Sequence, residues 1–227
     1  MVSKLEKSIR LIAFISLLLT VTWIIFTGIS MSQIQSTWSD IDYLKWASQP
    51  DIFYIVNYVN VTVLTIVVIG LFALLFSYFS EKNKTLALLA IIFIPVYGVL
   101  NLVCYSIQIT VVPSIAANAL NSSSDILFAT ELVQSISHSA IGFVNGLAYA
   151  ILGIPSIIYG YMLSKSQKRI SGLLLLINGV LCIIGIVGYI LQNTILSAGI
   201  LLGGVVFLVS LIFIVLDFGR REKVNKS

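Results

Sequence analysis

Residues 170–216 read ISGLLLLINGVLCIIGIVGYILQNTILSAGILLGGVVFLVSLIFIVL, a run of 47 residues without a charged side chain. A helix rises ~1.5 Å per residue and the hydrocarbon core of a bilayer is ~30 Å thick, so about 20 residues make one crossing. The run is more than twice that length, and the polar triplet Gln192-Asn193-Thr194 interrupts it near its middle. It therefore predicts a hairpin of two transmembrane helices.

The rest of the chain has the same character, since 59% of its 227 residues are hydrophobic and only 10% are charged. A soluble domain carries roughly 25% charged residues, so this chain has too few to cover a water-facing surface. The uncharged runs predict an all-α, polytopic protein whose main partner is the lipid bilayer. Its six transmembrane helices are expected at about 11–30, 53–79, 85–112, 140–163, 170–191 and 195–216.

The basic residues predict the orientation of these helices. Every Lys and Arg except Lys45 falls in the N-terminal segment, the second loop, the fourth loop or the tail. Cytoplasmic loops retain Lys and Arg, so both termini are predicted to be cytoplasmic. The net charge of +4 then reflects topology, and no nucleic-acid partner is expected.

None of the predicted crossings contains an ionisable Asp, Glu, Lys, Arg or His. Such residues at membrane depth usually mark ion pathways or proton relays. Their absence argues against a proton-coupled transporter, a voltage sensor and an intramembrane aspartyl protease. We therefore expect no catalytic residue, no metal site and no cofactor within the membrane.

Uncharged polar residues repeat at helical spacing on the third, fourth and fifth helices, which are therefore expected to face one another, with the sixth helix at the periphery. Two interpretations stay open. The residues line a polar pocket that opens outward, or they bond across helices as packing contacts that contribute about 0.6 kcal/mol each. The residues of this polar seam are Tyr97, Asn101, Tyr105, Gln108, Asn145, Tyr149, Asn178, Tyr189 and Gln192.

The third loop contains a second polar group. Residues 125–139 place apolar side chains on one side and polar ones on the other at 100° per residue, which predicts an extracytoplasmic amphipathic helix. Glu131 and His138 share its polar face. They are seven residues apart, about 10 Å along a helix axis, which is too far for both to ligate one ion. The face is either a solvated surface or an acid/base pair.

Small residues form two GxxxG patterns, Gly142 with Gly146 and Gly199 with Gly203. Glycine at this spacing lets two helices approach closely. The contact is either within the bundle or with a second copy or a partner membrane protein. Pro95 and Pro155 each remove a backbone donor and are expected to kink their helices.

Two junctions, EKNKTLALL at 81–89 and KRISGLLLLING at 168–179, resemble those of a bacterial family of six-helix membrane proteins, the domain-of-unknown-function 4386 family. The resemblance covers roughly residues 9–216. It implies a location in the bacterial cytoplasmic membrane, and it brings no catalytic residues with it.

Three classes of function remain. The short loops favour a non-enzymatic integral membrane protein with an accessory or structural role. A carrier or channel for a small neutral or lipophilic compound would use the outward-facing polar pocket, although no internal repeat is visible. A lipid-modifying enzyme would use Glu131 and His138.

Overall fold

The computed structural model describes residues 3–122, 125–137 and 139–219. Over these ranges the chain forms helices joined by turns, without a strand. Six helical segments are long and apolar enough to cross a membrane. The predicted all-α fold with six membrane-spanning helices is therefore confirmed, and the chain is a multi-pass membrane protein.

The helices in the described ranges are α1 (Lys4–Ser32), α2 (Asp40–Ser48), α3 (Ile52–Phe79), α4 (Lys84–Ile91), α5 (Ile94–Thr110), α6 (Val112–Ser122), α7 (Ile126–Leu132), α8 (Ala140–Ser164), α9 (Arg169–Ile190), α10 (Thr194–Ser197) and α11 (Gly199–Asp217). In chain order, spans 1 to 6 are α1, α3, α4 with α5, α8, α9, and α10 with α11.

Two span boundaries differ from the prediction for local reasons. Span 1 begins at Lys4 because Ser3 and Glu6 form a capping box, with the Glu6 N–H donating to Ser3 Oγ at 3.1 Å. Charged residues end the hydrophobic run but do not end the helix. Span 3 is broken between Ile91 and Ile94, where Pro95 lacks the donor that would continue the α4 ladder.

The six spans form a closed ring. Each span packs against the next one in the chain, and span 6 packs against span 1. Span 6 is therefore an equal member of the ring, and the expectation that it lies at the periphery is wrong. It is apolar on all sides, so Phe207 and Leu211 are buried in the core while Leu201 faces outward.

At one end of the ring, α2, α6 and α7 form a layer that we call the cap. Its core contains Leu44, Val112, Ala116 and Ala129. The predicted amphipathic helix at 125–139 is helical only as far as Leu132, because Val133 turns to an extended conformation. The opposite end, which carries Lys82, Lys84, Lys165 and Lys168, is called the basic face.

The half of the ring nearest the basic face is filled with side chains. Tyr159 lies between Phe72 and Phe79, with ring centroids 5.9 and 6.0 Å away. All three side chains are almost fully buried, and the Tyr159 hydroxyl donates to the Ala87 carbonyl at 3.0 Å. These three residues, which we call the plug, close the interior on this side.

The glycines of the GxxxG patterns face other spans of the same chain. A Cβ on Gly146 would lie 3.1 Å from Ile200, and one on Gly199 would lie 2.7 Å from the Leu181 carbonyl oxygen. Gly142 faces the Tyr189 hydroxyl and Gly203 faces Cys182 in the same way. These glycines pack the bundle internally, so they do not form the surface expected for a second copy or a partner.

Candidate functional site

A cavity of about 340 Å³ lies inside the ring between the cap and the plug, and all six spans contribute to its wall. It extends from Met31 and Ser197 near the cap to Val68, Leu152 and Phe207 near the middle of the spans. Polar side chains lie mainly on spans 2 to 5, and spans 1 and 6 supply much of the apolar wall. The cavity is therefore amphipathic across its width.

The polar wall is built on Asn145 of span 4. Its Nδ2 donates to Asn101 Oδ1 at 3.0 Å and to the Tyr105 hydroxyl at 3.1 Å. Tyr105 and Tyr149 share a hydrogen bond of 2.8 Å between their hydroxyls. Asn145 Oδ1 accepts from Gln134 Nε2 at 3.0 Å. Asn145, Tyr105 and Tyr149 line the cavity, whereas Asn101 lies behind the wall.

Gln108 is fully buried and does not line the cavity. Its Nε2 donates to the Leu132 carbonyl at 2.8 Å, and its Oε1 accepts from the Gln134 N–H at 3.1 Å. The side chain thus satisfies two backbone groups where α7 ends, which explains why the helix can stop there. Gln108 holds the loop above the cavity instead of forming its wall.

Asn178, Tyr97 and Cys182 lie at the deep end of the cavity. Asn178 Nδ2 donates to the Gly203 carbonyl at 2.9 Å. Asn178 is only 3% exposed, and its Oδ1 has no hydrogen-bond partner within the described protein. Asn178 thus bridges spans 5 and 6 at the deep end of the cavity, and its Oδ1 is enclosed by protein.

Spans 1 and 6 line one side of the cavity. The Trp23 ring of span 1 packs against Gly204 of span 6. On the cap side of this contact, α10 of span 6 packs against α9 of span 5. Met31 and Leu201 line the cavity on either side and are 46% and 66% exposed. One lining residue of span 1 and one of span 6 are therefore also exposed on the outside of the bundle.

The last two residues of the predicted seam lie elsewhere. The Tyr189 hydroxyl donates to the Ser139 carbonyl at 2.9 Å, and Tyr189 lines an adjacent pocket that shares Gln134 and Asn145 with the cavity. Gln192 is exposed in the turn after span 5, with a positive φ of 52°. Of the nine seam residues, the structure brings Tyr97, Tyr105, Asn145, Tyr149 and Asn178 to the cavity.

Glu131 has a local partner at the start of span 4. Its Oε2 accepts from the Ala140 N–H at 2.6 Å, so a carboxylate lies at a helix N-terminus, where the helix dipole favours negative charge. His138 lies outside the described residues. Over the described ranges, no three His, Cys, Asp or Glu side chains cluster as metal ligands would.

Spans 1 and 2 supply cavity residues that the sequence analysis did not include. Thr20, Trp23 and Thr27 of span 1 line the cavity, and Thr27 Oγ1 donates to Asn57 Oδ1 at 3.1 Å. Tyr58 and Thr65 complete this side. Thr20, Trp23 and Thr27 are three and four residues apart, so helical periodicity places them on one face of span 1. Thr and Trp also occur commonly in membrane spans that line no cavity, so the spacing alone does not identify them.

In the cap, the pKa of Asp42 is lowered. Hydrogen bonds from the hydroxyl and the N–H of Ser39 hold the pKa of Asp42 below its ordinary value. The pair caps the first turn of α2 and is far from the cavity wall. Within residues 3–122, 125–137 and 139–219, no Asp, Glu, Lys or Arg lines the cavity.

No family model, no curated protein and no solved structure matches this chain. The resemblance to the domain-of-unknown-function 4386 family therefore stays a prediction.

Proposed function

We propose that the protein binds a small, uncharged, amphipathic molecule that reaches the cavity from the bilayer. The observation that carries this proposal is the cavity itself, whose lining is polar mainly on spans 2 to 5 and largely apolar on spans 1 and 6. From the exposure of Met31 and Leu201, which line the cavity, we infer a lateral gap between spans 1 and 6. Its volume falls within the range of small-molecule sites, about 300–1,000 Å³. A solvent-facing pore would not need a gap at lipid depth.

The lining supports an uncharged ligand. A charged group moved from water into an apolar environment without a partner is strongly disfavoured, and none of the lining side chains in the described part of the chain carries a charge that would compensate it. Neutral hydroxyls and amides would find partners on Asn145 and Tyr149.

The plug favours a closed binding site and argues against an open channel. Among the residues that the structure describes, Phe72, Phe79 and Tyr159 fill the interior below the cavity floor, and their rings lie between the cavity and the basic face. Transport by a carrier mechanism would require these three rings to separate.

We infer a non-enzymatic role from the same geometry. Glu131, the carboxylate of the lipid-modifying alternative, is bonded to the backbone of span 4 and does not line the cavity. The wall offers hydrogen bonds and apolar contacts, without an acid/base pair. An accessory or structural role is compatible with this cavity, but such a role would not require ligand binding.

We also propose that the basic face is cytoplasmic and that the membrane is the bacterial plasma membrane. Lys82, Lys84, Lys165 and Lys168 lie at that face, as cytoplasmic loops require. The cap and the lateral gap then belong to the outer half of the bilayer, and the ligand arrives from the outer leaflet.

The proposal is tested by the fluorescence of Trp23 in phosphatidylcholine nanodiscs, with bromoundecanol as the ligand, since bromine quenches indole on contact. We expect saturable quenching that is lost in Trp23→Phe, because Trp38 and Trp46 lie in the cap region outside the cavity. Bromoundecanoate and its quaternary ammonium counterpart should bind more weakly. Quenching that rises without saturation, or that persists unchanged in Trp23→Phe, would contradict the proposal.

A further inference from the structure

We propose that a groove at the basic face, between the ends of spans 1 and 6, binds the headgroup and the adjoining acyl chain of an anionic phospholipid. We call it the basic groove. Its volume is about 490 Å³, and its lining consists of Lys7, Arg10, Leu11, Phe14 and Val215. None of these residues lines the cavity, so this lipid site is separate from the proposed ligand site.

Four of the five lining residues lie on one stripe of α1. Lys7, Arg10, Leu11 and Phe14 follow one another at intervals of three, one and three residues, which places them on a single face of the helix. The two cations lie nearest the end of the helix, and the two apolar side chains lie about one turn further into the span. A phospholipid has the same order, with its phosphate at the membrane surface and its acyl chains inside.

The lining side chains on α1 are accessible from outside the bundle. Lys7 and Arg10 are exposed, and Leu11 and Phe14 are 58% and 45% exposed. Long cationic side chains near the end of a membrane span extend toward the headgroups while their aliphatic parts stay on apolar surface. A lipid beside α1 can therefore contact both the cations and the apolar residues without any rearrangement of the bundle.

The end of span 6 forms the other side of the groove. Val215 belongs to α11 and lines the groove directly. The Arg10 guanidinium lies close to the chain just after α11, since a Cβ on Gly219 would be 3.1 Å from both Arg10 Cζ and Arg10 Nε. A lipid bound to Arg10 and Val215 thus bridges the two spans that close the ring.

The cations of the groove are not compensated within the described part of the chain. Neither Lys7 nor Arg10 forms an ion pair there, because Glu6, the acid next to them in the sequence, contacts Lys168 Nζ at 3.4 Å at the basic face. No Asp or Glu of the described ranges lines the groove. Guanidinium and ammonium groups both bind phosphate, the guanidinium in a bidentate manner.

This charge distribution favours an anionic headgroup over a zwitterionic one. The phosphate of phosphatidylglycerol carries a net negative charge, whereas the choline ammonium of phosphatidylcholine cancels that charge and is repelled by Lys7 and Arg10. Basic pockets between spans at the cytoplasmic side are a recognised form of anionic-lipid site. The basic groove combines such a pocket with an apolar surface for the chain.

The test is a titration of the protein in uncharged detergent with phosphatidylglycerol, and with phosphatidylcholine of the same acyl chains. Native mass spectrometry gives the dissociation constant of the first bound lipid. Because one basic residue near an anionic lipid changes affinity by about fivefold, Lys7→Gln and Arg10→Gln should each weaken phosphatidylglycerol binding by that factor. The double variant should weaken it by about 25-fold, and phosphatidylcholine binding should be unchanged.

Lys84 and Lys165 provide a control with the same change in net charge. Both are exposed at the basic face, at the ends of spans 3 and 4 and outside the groove. Replacing both by Gln should change phosphatidylglycerol affinity by less than about twofold, because exposed charges across the ring are screened. Arg10→Lys keeps the charge and should keep the preference for the anionic lipid. Phe14→Ala keeps both cations and should weaken both lipids alike.

Equal affinities for the two lipids would overturn the proposal, and so would an equal loss in the Lys84 and Lys165 double variant, which would assign the preference to the diffuse charge of the basic face. Displacement of phosphatidylglycerol by millimolar inorganic phosphate would also overturn it, since the groove would then bind free anions. Unchanged phosphatidylcholine binding in the Lys7 and Arg10 variants would show that they are folded and that the loss is specific to the anionic headgroup.

Discussion

Lys168 is a buried cation where four spans meet at the basic face. It is only 5% exposed, and its Nζ lies 3.4 Å from Glu6 Oε1. The same Nζ lies over the Phe218 ring at 4.6 Å and near the Tyr78 ring at 5.6 Å. One side chain from the start of span 5 therefore ties together the ends of spans 1, 2 and 6.

We expect Lys168→Ala to lower the free energy of unfolding by about 3 kcal/mol, because it leaves the Glu6 carboxylate without its cation in a poorly solvated position. Lys165→Ala is the matched control, since Lys165 is exposed beside the Tyr161 ring, and it should change stability by less than about 0.5 kcal/mol. Unfolding in mixed detergent micelles measures both. Similar losses for the two variants would contradict the assigned role of Lys168 in joining the ends of the spans.

Periodicity on a single helix identifies the polar face but not the partner of each residue. Asn101 lies on the polar face of span 3 and Asn145 on that of span 4, and the two bond to each other, yet only Asn145 lines the cavity. The span-3 stripe that contains Asn101 continues to Gln108, but Gln108 turns to the backbone of α7. Which amide faces the cavity depends on the neighbouring spans and loops, and the sequence of one helix does not contain this information.

Spans 4 and 5 are in backbone contact along their length. A Cβ on Gly160 would lie 2.5 Å from the Leu176 nitrogen, and one on Gly179 would meet the Gly153 carbonyl oxygen. The contact glycines are seven residues apart on each helix, so the GxxxG pattern does not detect them. Close approach without side chains is the usual route to helix association in a bilayer.

We predict that Gly179→Ala destabilises the protein, by about 2 kcal/mol, because the new methyl group meets backbone atoms that cannot move independently. The control is Gly70→Ala in span 2, where nothing lies within 4 Å of the added Cβ. Its higher helix propensity should give a gain of about 0.5–1 kcal/mol. In detergent unfolding, Gly179→Ala should lower the free energy of unfolding and Gly70→Ala should raise it. A lower free energy of unfolding in both variants would contradict the assigned contact.

At the level of elements, the number of spans follows from the length of uncharged runs because the bilayer imposes that length. The cap helices were harder to predict. Residues 112–122 have no charge and begin at the predicted end of span 3, yet they form α6 and pack against α2. Their alanines, Ala116 and Ala119, carry the contact, and alanine gives no strong periodic signal.

The whole molecule is a ring with a filled half and a hollow half. The plug and the aliphatic core around it occupy the side of the basic face, and the cavity occupies the side of the cap. Charge counting predicts which loops share a side, but it says nothing about which spans are neighbours. Ring closure by span 6 therefore could not be deduced, since an all-apolar helix packs equally well against protein and lipid.

The most direct test of a ligand-accessible cavity uses the two native thiols. Both are buried, but Cys182 lines the cavity, whereas Cys104 Sγ points to the Ile141 carbonyl in a closed cluster. In nanodiscs, the neutral reagent N-ethylmaleimide should modify Cys182 several times faster than Cys104, as located by peptide mass spectrometry, and saturating bromoundecanol should slow that reaction. Equal modification of both thiols, or faster modification of Cys104, would contradict the account.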